Sequence, residues 1–257
     1  MNPLKEIDQN FLYHATKIPQ ISAEMVVTQM ENLSFIDSGL SCDTFNIFHI
    51  YDGPKTSYQD IERVLQYYKA RQLDYCLWIS KENLTKQLHH YFKRCSLQQQ
   101  NMEVGMMLDL DHYTTIASQK HQHIIQVSNA AQLQDYAGVI AANWSPPDQN
   151  VLKYYEKTAS HYLNSLNKVI LLTYYDGITP QSTLEMFPTN EDTIGLYGLA
   201  TLEDARGQGI GSAMMTKALN LAKSLHYKRV VLQASEDGLN IYKKLGFEAL
   251  TEYYEFS

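Results

Sequence analysis

The sequence has little cysteine, no block of positive charge and no long apolar run. Its 257 residues include three cysteines, Cys42, Cys76 and Cys95, an odd number without C-x-x-C spacing. That pattern excludes a disulfide framework and reads as reduced thiols. The formal net charge is −7 and no basic run occurs, which argues against a dedicated nucleic-acid binder, because neutralising phosphates needs a basic surface. No stretch approaches the roughly eighteen apolar residues that a membrane-spanning helix requires. The start of the chain, Met1 to Asp8, has no apolar signal core. Together these absences give the expectation of a soluble cytoplasmic protein, and export without a cleaved signal would leave the same trace. The histidine pairs His89-His90 and His121-Gln-His123 lack the spacing of three or four converging ligands, so no metal site is expected.

What is present is a composition suited to a normal core. Hydrophobic residues make up 44% of the chain, which excludes intrinsic disorder, and the length suits one large or two small domains. The chain is organised around Thr193–Ser212. Ile194–Thr201 reads as a strand, and the helix that follows begins near Ile210 and runs towards His226. Its apolar positions Met214, Ala218, Leu221, Ala222 and Leu225 share one face. Between strand and helix lies Arg206-Gly-Gln-Gly-Ile-Gly211. Glycines allow a ligand close to the backbone, and a helix start offers unpaired N–H groups with a positive dipole end, a combination that binds phosphate.

Several readings of that loop compete. Gly207, Gly209 and Ser212 approximate the dinucleotide pattern G-x-G-x-x-G/A, but Leu202–Arg206 intervenes after the strand and too little chain follows. A Walker loop needs Gly-Lys-Ser/Thr, and no lysine is there. A glycine-rich turn without a ligand would leave the downstream sequence unexplained. The remaining reading is Arg/Gln-x-x-Gly-x-Gly/Ala, filled by Arg206, Gly209 and Gly211. Downstream, Arg229–Ala234 is a short apolar strand, followed by Ser235-Glu-Asp-Gly-Leu-Asn-Ile-Tyr-Lys-Lys-Leu-Gly-Phe247. Gly246 suits a helix C-cap, and Phe247–Phe256 a return strand.

These two motifs, in this order, resemble the GNAT family of N-acetyltransferases. The resemblance is specific over Ile194–Phe256 and extends back to about His121. Tyr242, Leu245, Gly246 and Phe247 match the family pattern, whereas Ser235 stands where the family often has Asn. The rest of the chain reads, in order, as helices at Leu4–Thr16 and Ala23–Asn32, a loop at 36–44, and a strand at Phe45–Tyr51. A helix follows at Gln59–Gln72 with Ser57 as N-cap and Asp60 at the capping-box place, then a strand at Tyr75–Ser80. Next come a helix at Lys81–Leu97 and a strand at Met102–Leu110. After a polar linker, Asp111–Lys120, the expected order is a strand at His121–Val127, helices at Ala130–Ala142 and Gln149–Leu163, and strands at Lys168–Tyr174 and Gln181–Met186.

Residues 45–110 and 194–256 follow the same element order, and their sequences echo each other. Leu77-Trp-Ile-Ser80 parallels Leu232-Gln-Ala-Ser235, and Phe92-Lys-Arg-Cys-Ser-Leu97 parallels Tyr242-Lys-Lys-Leu-Gly-Phe247. This points to a degenerate internal duplication. The first copy lacks the glycine loop at 52–57 and has Phe92 in place of Tyr242. The expected fold class is α/β, a mixed (α+β) central sheet flanked by helices in the GNAT manner. A degenerate GNAT-like domain is expected at 1–115 and a catalytic domain at 121–257.

The resemblance implies acetyl-CoA as cosubstrate and a primary amine as acceptor, with no metal. It places the pantetheine arm on the backbone of Leu199, Ala200 and Thr201, where a strand N–H would face the thioester oxygen. The pyrophosphate would lie on the amides of Gly207, Gln208, Gly209, Ile210, Gly211 and Ser212, with Arg206 adding a charge-assisted bond and Ser235 a polar contact. Tyr242 is the candidate general acid and Glu185 the candidate base. Trp144, Tyr154 and Tyr155 fall where the family builds its acceptor pocket, although packed aromatics suit the same positions. The rival reading is a non-catalytic acyl-CoA-binding module. A monomer or homodimer is expected, with neither nucleic acid nor membrane as partner.

Overall fold

The computed structural model describes residues 2–257. Its first elements are α1 (Pro3–Ile21), β1 (Val26–Gln29), β2 (Leu33–Asp37), β3 (Ile47–Ile50), α2 (Tyr58–Arg71), β4 (Cys76–Ser80), α3 (Lys86–Arg94) and β5 (Gln99–Asp109). Next come β6 (Ile124–Gln126), α4 (Ala130–Ala141), α5 (Gln149–Tyr162), β7 (Ile170–Asp176), β8 (Thr179–Pro188) and β9 (Thr193–Thr201). The chain ends with α6 (Ile210–Ser224), β10 (Arg229–Ala234), α7 (Glu236–Lys244) and β11 (Glu248–Phe256). Two compact units result. The first holds the chain up to Met106 together with Gln233–Asn240 and Ala249–Ser257, and the second holds Met107–Leu232 and Ile241–Glu248.

In the first unit the strand order is β1-β2-β3-β4-β11. β3 and β4 run parallel, from Ile47↔Cys76 to Ile50↔Ile79, and the other neighbours are antiparallel. Side chains alternate across a strand. Phe48, Ile50, Leu77 and Ile79 accordingly join Ile61, Val64 and Tyr68 of α2 and Leu88 and Phe92 of α3 in one buried cluster. The intervening His49 and Trp78 instead meet Phe11 of α1, with ring centroids 4.9 Å apart in both cases. Helices therefore cover both faces. The last residues of the chain complete this unit: Phe256 of β11 lies opposite Leu77 and packs on Phe92 at 4.7 Å.

The second unit orders its strands β10-β9-β8-β7-β6. Only β9 and β10 are parallel, and the rest form an antiparallel meander. Helices α4 and α6 both pack against β7, β8 and β9. The expected α/β class, a mixed sheet flanked by helices, is what the chain adopts.

Some elements differ from the sequence reading. The helix expected at Ala23–Asn32 is the strand β1, and the loop expected from 36 begins inside β2. Val26-Val-Thr28 is β-branched, and pairing Val26 with Asp37 through Gln29 with Ser34 outweighs a weak helical period. α1 instead runs on through Pro19, which lies in its last turn. α3 starts at Lys86 and not Lys81, because the Thr85 hydroxyl accepts the Leu88 N–H at 3.1 Å and caps the helix there. The expected strand at His121 begins with a short 3-10 turn, Gln119–His123. The capping box is present: Asp60 N–H donates to Ser57 Oγ at 3.2 Å, and Ser57 N–H to Asp60 Oδ2 at 3.0 Å.

Two glycines give opposite expectations. A Cβ at Gly53 would stand 1.8 Å from the backbone oxygen of Asn83, whereas one at Gly138, exposed within α4, meets nothing within 4 Å. Gly53→Ala is expected to destabilise the chain by about 2–3 kcal/mol through overpacking. Gly138→Ala is expected to stabilise it by about 0.5–1 kcal/mol, because alanine loses less backbone freedom in a helix. Urea denaturation of the two variants reads both signs.

Candidate active site in the second unit

β9 carries the centre of the site. Its register with β8 pairs Thr183 with Ala200 and Glu185 with Tyr197, so Gly198 and Leu199 together oppose Leu184. This is a β-bulge, and Gly198 takes the left-handed conformation (φ 58°) that the extra residue requires. A side chain at Gly198 would also collide: its Cβ would lie 3.0 Å from the Tyr136 hydroxyl. β8 secures the bulge with side chains. Thr183 Oγ1 donates to Gly198 O at 2.9 Å, and Ser182 Oγ donates to Ala200 O at 2.7 Å. On the other side of β9, the parallel ladder to β10 runs only from Thr193↔Arg229 to Gly195↔Val231. Leu196 to Thr201 lie beyond it, and on the other side Gly198 and Leu199 share the single residue Leu184 of β8.

The glycine loop follows directly. Arg206 Nε donates to Thr201 O at 3.0 Å, which folds the short 3-10 turn Glu203–Ala205 back onto the end of β9. Arg206, expected on a phosphate, thus also has a structural bond within the loop. Gly207 and Gly209 both have positive φ, 73° and 75°, and a Cβ on either would face open space. Gly209 is the N-cap of α6 and provides no side-chain cap. The first intrahelical bond described is Ala213 N–H to Gly209 O at 3.1 Å. Geometry leaves the amides of Ile210, Gly211 and Ser212 without an acceptor inside the helix. Their N–H groups and the positive helix end form a cradle that fits an anion such as a pyrophosphate.

Tyr242 is positioned by the end of α7. Phe247 N–H donates to Tyr242 O at 3.1 Å and Gly246 N–H to Lys243 O at 3.1 Å, with Gly246 at φ 95°. This is a Schellman cap, whose usual apolar contact is here Phe247 edge-on to Tyr242 at 5.9 Å. The Leu-Gly-Phe motif thus fixes the turn of helix that carries Tyr242, which is buried. Ser235 is exposed, belongs to the 233–240 stretch of the first unit, and accepts at its carbonyl from Gly238 and Leu239. Among the described residues no group of three or more His, Cys, Asp or Glu could hold a metal ion. His121 Nε2 meets Thr216 Oγ1 on α6 at 2.8 Å, and burial holds its pKa below the usual value.

Glu185 is 3% exposed, facing a layer of tyrosines. Tyr136 of α4 and Tyr154, Tyr155 and Tyr162 of α5 are all buried and stand well above the ordinary tyrosine range. Burial is the main cause in each, with the Glu185 charge adding to it. The rings pack closely: Tyr136 to Tyr155 at 5.3 Å and Tyr155 to Tyr162 at 5.3 Å. Sequence reasoning missed Tyr136 and Tyr162, and it missed Gly198. The signals were there, since an isolated glycine inside a strand pattern marks a bulge.

Comparison with known proteins agrees with this geometry. Residues 131–247 match the acetyltransferase (GNAT) family. A GCN5-related N-acetyltransferase from Kribbella flavida superposes with a TM-score of 0.68 at 13% identity, over 96% of this chain and 94% of that one. An acetyltransferase of the GNAT family from Novosphingobium aromaticivorans gives 0.60 at 10% identity, over 100% and 99%. A tandem GNAT protein from the clavulanic acid biosynthesis pathway gives 0.56 at 10% identity, over 98% and 94%. The sequence match thus covers residues 131–247, and beyond it the likeness to these GNAT structures is one of fold.

The tyrosine layer predicts alkaline behaviour. In the unfolded chain these tyrosines ionise near pH 10, while in the folded protein they stay neutral to higher pH. Above about pH 10 the unfolded state therefore binds fewer protons, and stability falls as pH rises. Tyr155→Phe is expected to make that fall shallower between about pH 10 and 12, read as the urea midpoint against pH.

Proposed function

We propose that this chain transfers an acetyl group from acetyl-CoA to a primary amine by direct attack. The observation that carries the proposal is the glycine loop, which joins the bulged, half-unpaired end of β9 to an uncapped helix N-terminus. Acetyl-CoA, when bound, supplies the activated acyl group. Arg206 and the amides from Gly207 to Ser212 would hold its pyrophosphate, and the backbone of Leu199, Ala200 and Thr201 its pantetheine arm. Tyr242 would protonate the departing thiolate. Glu185 would take the amine proton; because it is buried, the tyrosine hydroxyls around it would relay that proton.

The N-terminal half is proposed to be a degenerate copy, 1–115, of the catalytic half, 121–257, with its last strand exchanged. Support comes from matching helix ends. Leu97 N–H donates to Phe92 O at 3.0 Å and Ser96 N–H to Lys93 O at 3.2 Å, with Ser96 at φ 61°, repeating the cap at Tyr242. The preceding helices match as well: Gln72 of α2 and His226 of α6 close them at φ 55° and 65°. The acceptor is an amine of a small molecule or a protein, and the cytoplasm is the proposed compartment. A non-catalytic acyl-CoA-binding module is the second reading, favoured by the exposed Ser235 at the place of the family's Asn.

Two measurements test this reading. A Cβ at Gly211 would meet Thr201 Oγ1 and Ile241 Cδ1 at 3.9 Å, ordinary contact, so the backbone there accepts a side chain. Gly211→Val is expected to weaken acetyl-CoA binding about a hundredfold, ~3 kcal/mol, because its methyls obstruct the amide cradle. Gly211→Ala, which fits the motif, should stay close to the parent. Unchanged affinity in a folded Gly211→Val protein rejects the loop assignment.

Tyr242→Phe separates chemistry from binding. Removing one oxygen is expected to leave acetyl-CoA affinity unchanged and to lower turnover about a hundredfold if the hydroxyl is the general acid. Retained turnover would instead make Tyr242 a packed aromatic and favour the binding-module reading.

A further inference from the structure

The first unit contains a cavity of about 450 Å³ between α1, the end of β4 and β11. That is large enough for a small organic ligand. Two carboxylates line it, Asp8 from α1 and Glu82 from the turn after β4, along with the tyrosines Tyr51 and Tyr253. Among the described residues, Lys5 is the only cation in its wall.

Both carboxylates are held from behind. Asp8 uses Oδ1 alone: it receives the Tyr253 hydroxyl at 3.1 Å and faces His49 Nε2 at 3.1 Å, where the His49 side chain is fully buried. Glu82 uses Oε2 alone, accepting the Thr251 hydroxyl at 2.6 Å. Asp8 Oδ2 and Glu82 Oε1 accept no bond from the described residues. Each side chain therefore spends one oxygen on being oriented and keeps the other for a donor. Thr251 is itself buried, as is Ser80 beside it in the wall. Tyr51 turns its hydroxyl onto the backbone oxygens of Met30 and Leu33, so it offers the cavity a ring and not a donor.

We propose that this cavity is a binding site for a small organic ammonium. Oriented carboxylate oxygens supply the charge-assisted acceptors, and the aromatic walls favour a cation over an anion. The proposal concerns the first unit alone and does not depend on the acetyl-transfer reading.

Calorimetry on the full chain tests it with three four-carbon probes: butylammonium, γ-aminobutyrate and butyrate. Butylammonium is expected to bind and butyrate not to. γ-Aminobutyrate binding more tightly than butylammonium would assign an amino-acid ligand whose carboxylate meets Lys5, and weaker binding a simple amine. Glu82→Gln and Asp8→Asn should each weaken butylammonium at least about tenfold. Glu82→Gln lies on an exposed turn, so it keeps the test valid if Asp8→Asn fails to fold. Absence of butylammonium binding, equal binding of butyrate, or a folded Glu82→Gln protein that binds like the parent would overturn the proposal.

Discussion

Between Tyr197 and Ala200, β9 holds one residue more than β8 can match, and the chain absorbs it at Gly198. The second unit's site depends on that insertion. Without it, β9 would stay in register to its end, and the backbone around Leu199 would be committed to a regular ladder. With it, Gly198 and Leu199 share one residue of β8 just where the parallel ladder to β10 has already stopped. A strand that loses partners on both sides inside a sheet would normally cost free energy. Here β8 offsets part of that cost, with the hydroxyls of Ser182 and Thr183 bonding the carbonyls of Ala200 and Gly198. The site is thus an interruption of the sheet that neighbouring side chains hold open.

The other fixed point is the end of α7. Capping geometry, and not the chemistry of the phenol, decides where the Tyr242 backbone sits. That separates two roles which a motif match merges. Leu-Gly-Phe builds the turn, and the hydroxyl is an addition to it. The first unit illustrates the point, since Phe92 occupies the same cap position, packs on Phe256, and belongs to a hydrophobic core.

How much of this was legible follows from the range of each interaction. Local devices could be read: the capping box at Ser57, the glycines before α6 and the cap at Gly246 all act within a few residues. The proposed loop assignment rests on the same kind of local signal, since phosphate cradles are built from contiguous backbone. The hairpin at β1 and β2 was misread because a short apolar stretch fits either period, and only pairing across Val26↔Asp37 settles it. The strand partner of β4 was out of reach for a different reason. β11 comes from the far end of the chain, and nothing in Glu248–Phe256 marks which sheet it joins. The tyrosine layer around Glu185 shows the same limit, since Tyr136 and Tyr162 join Tyr155 only through tertiary packing of α4 and α5.

Charge around the glycine loop raises a last question, because Glu203 and Asp204 stand immediately before a site proposed for a pyrophosphate. Both are exposed. At that exposure two like charges a few ångströms apart repel by about 1 kcal/mol, less when salt screens them. Against this stand charge-assisted bonds from several backbone amides, each worth about 1.5–3 kcal/mol. With three or more amides and Arg206 engaged, the attraction outweighs the repulsion. The two terms also differ in their response to salt, since the repulsion fades with ionic strength and short amide bonds change little. The proposed phosphate site would therefore rely on backbone geometry more than on net charge, which makes it compatible with a chain of formal charge −7.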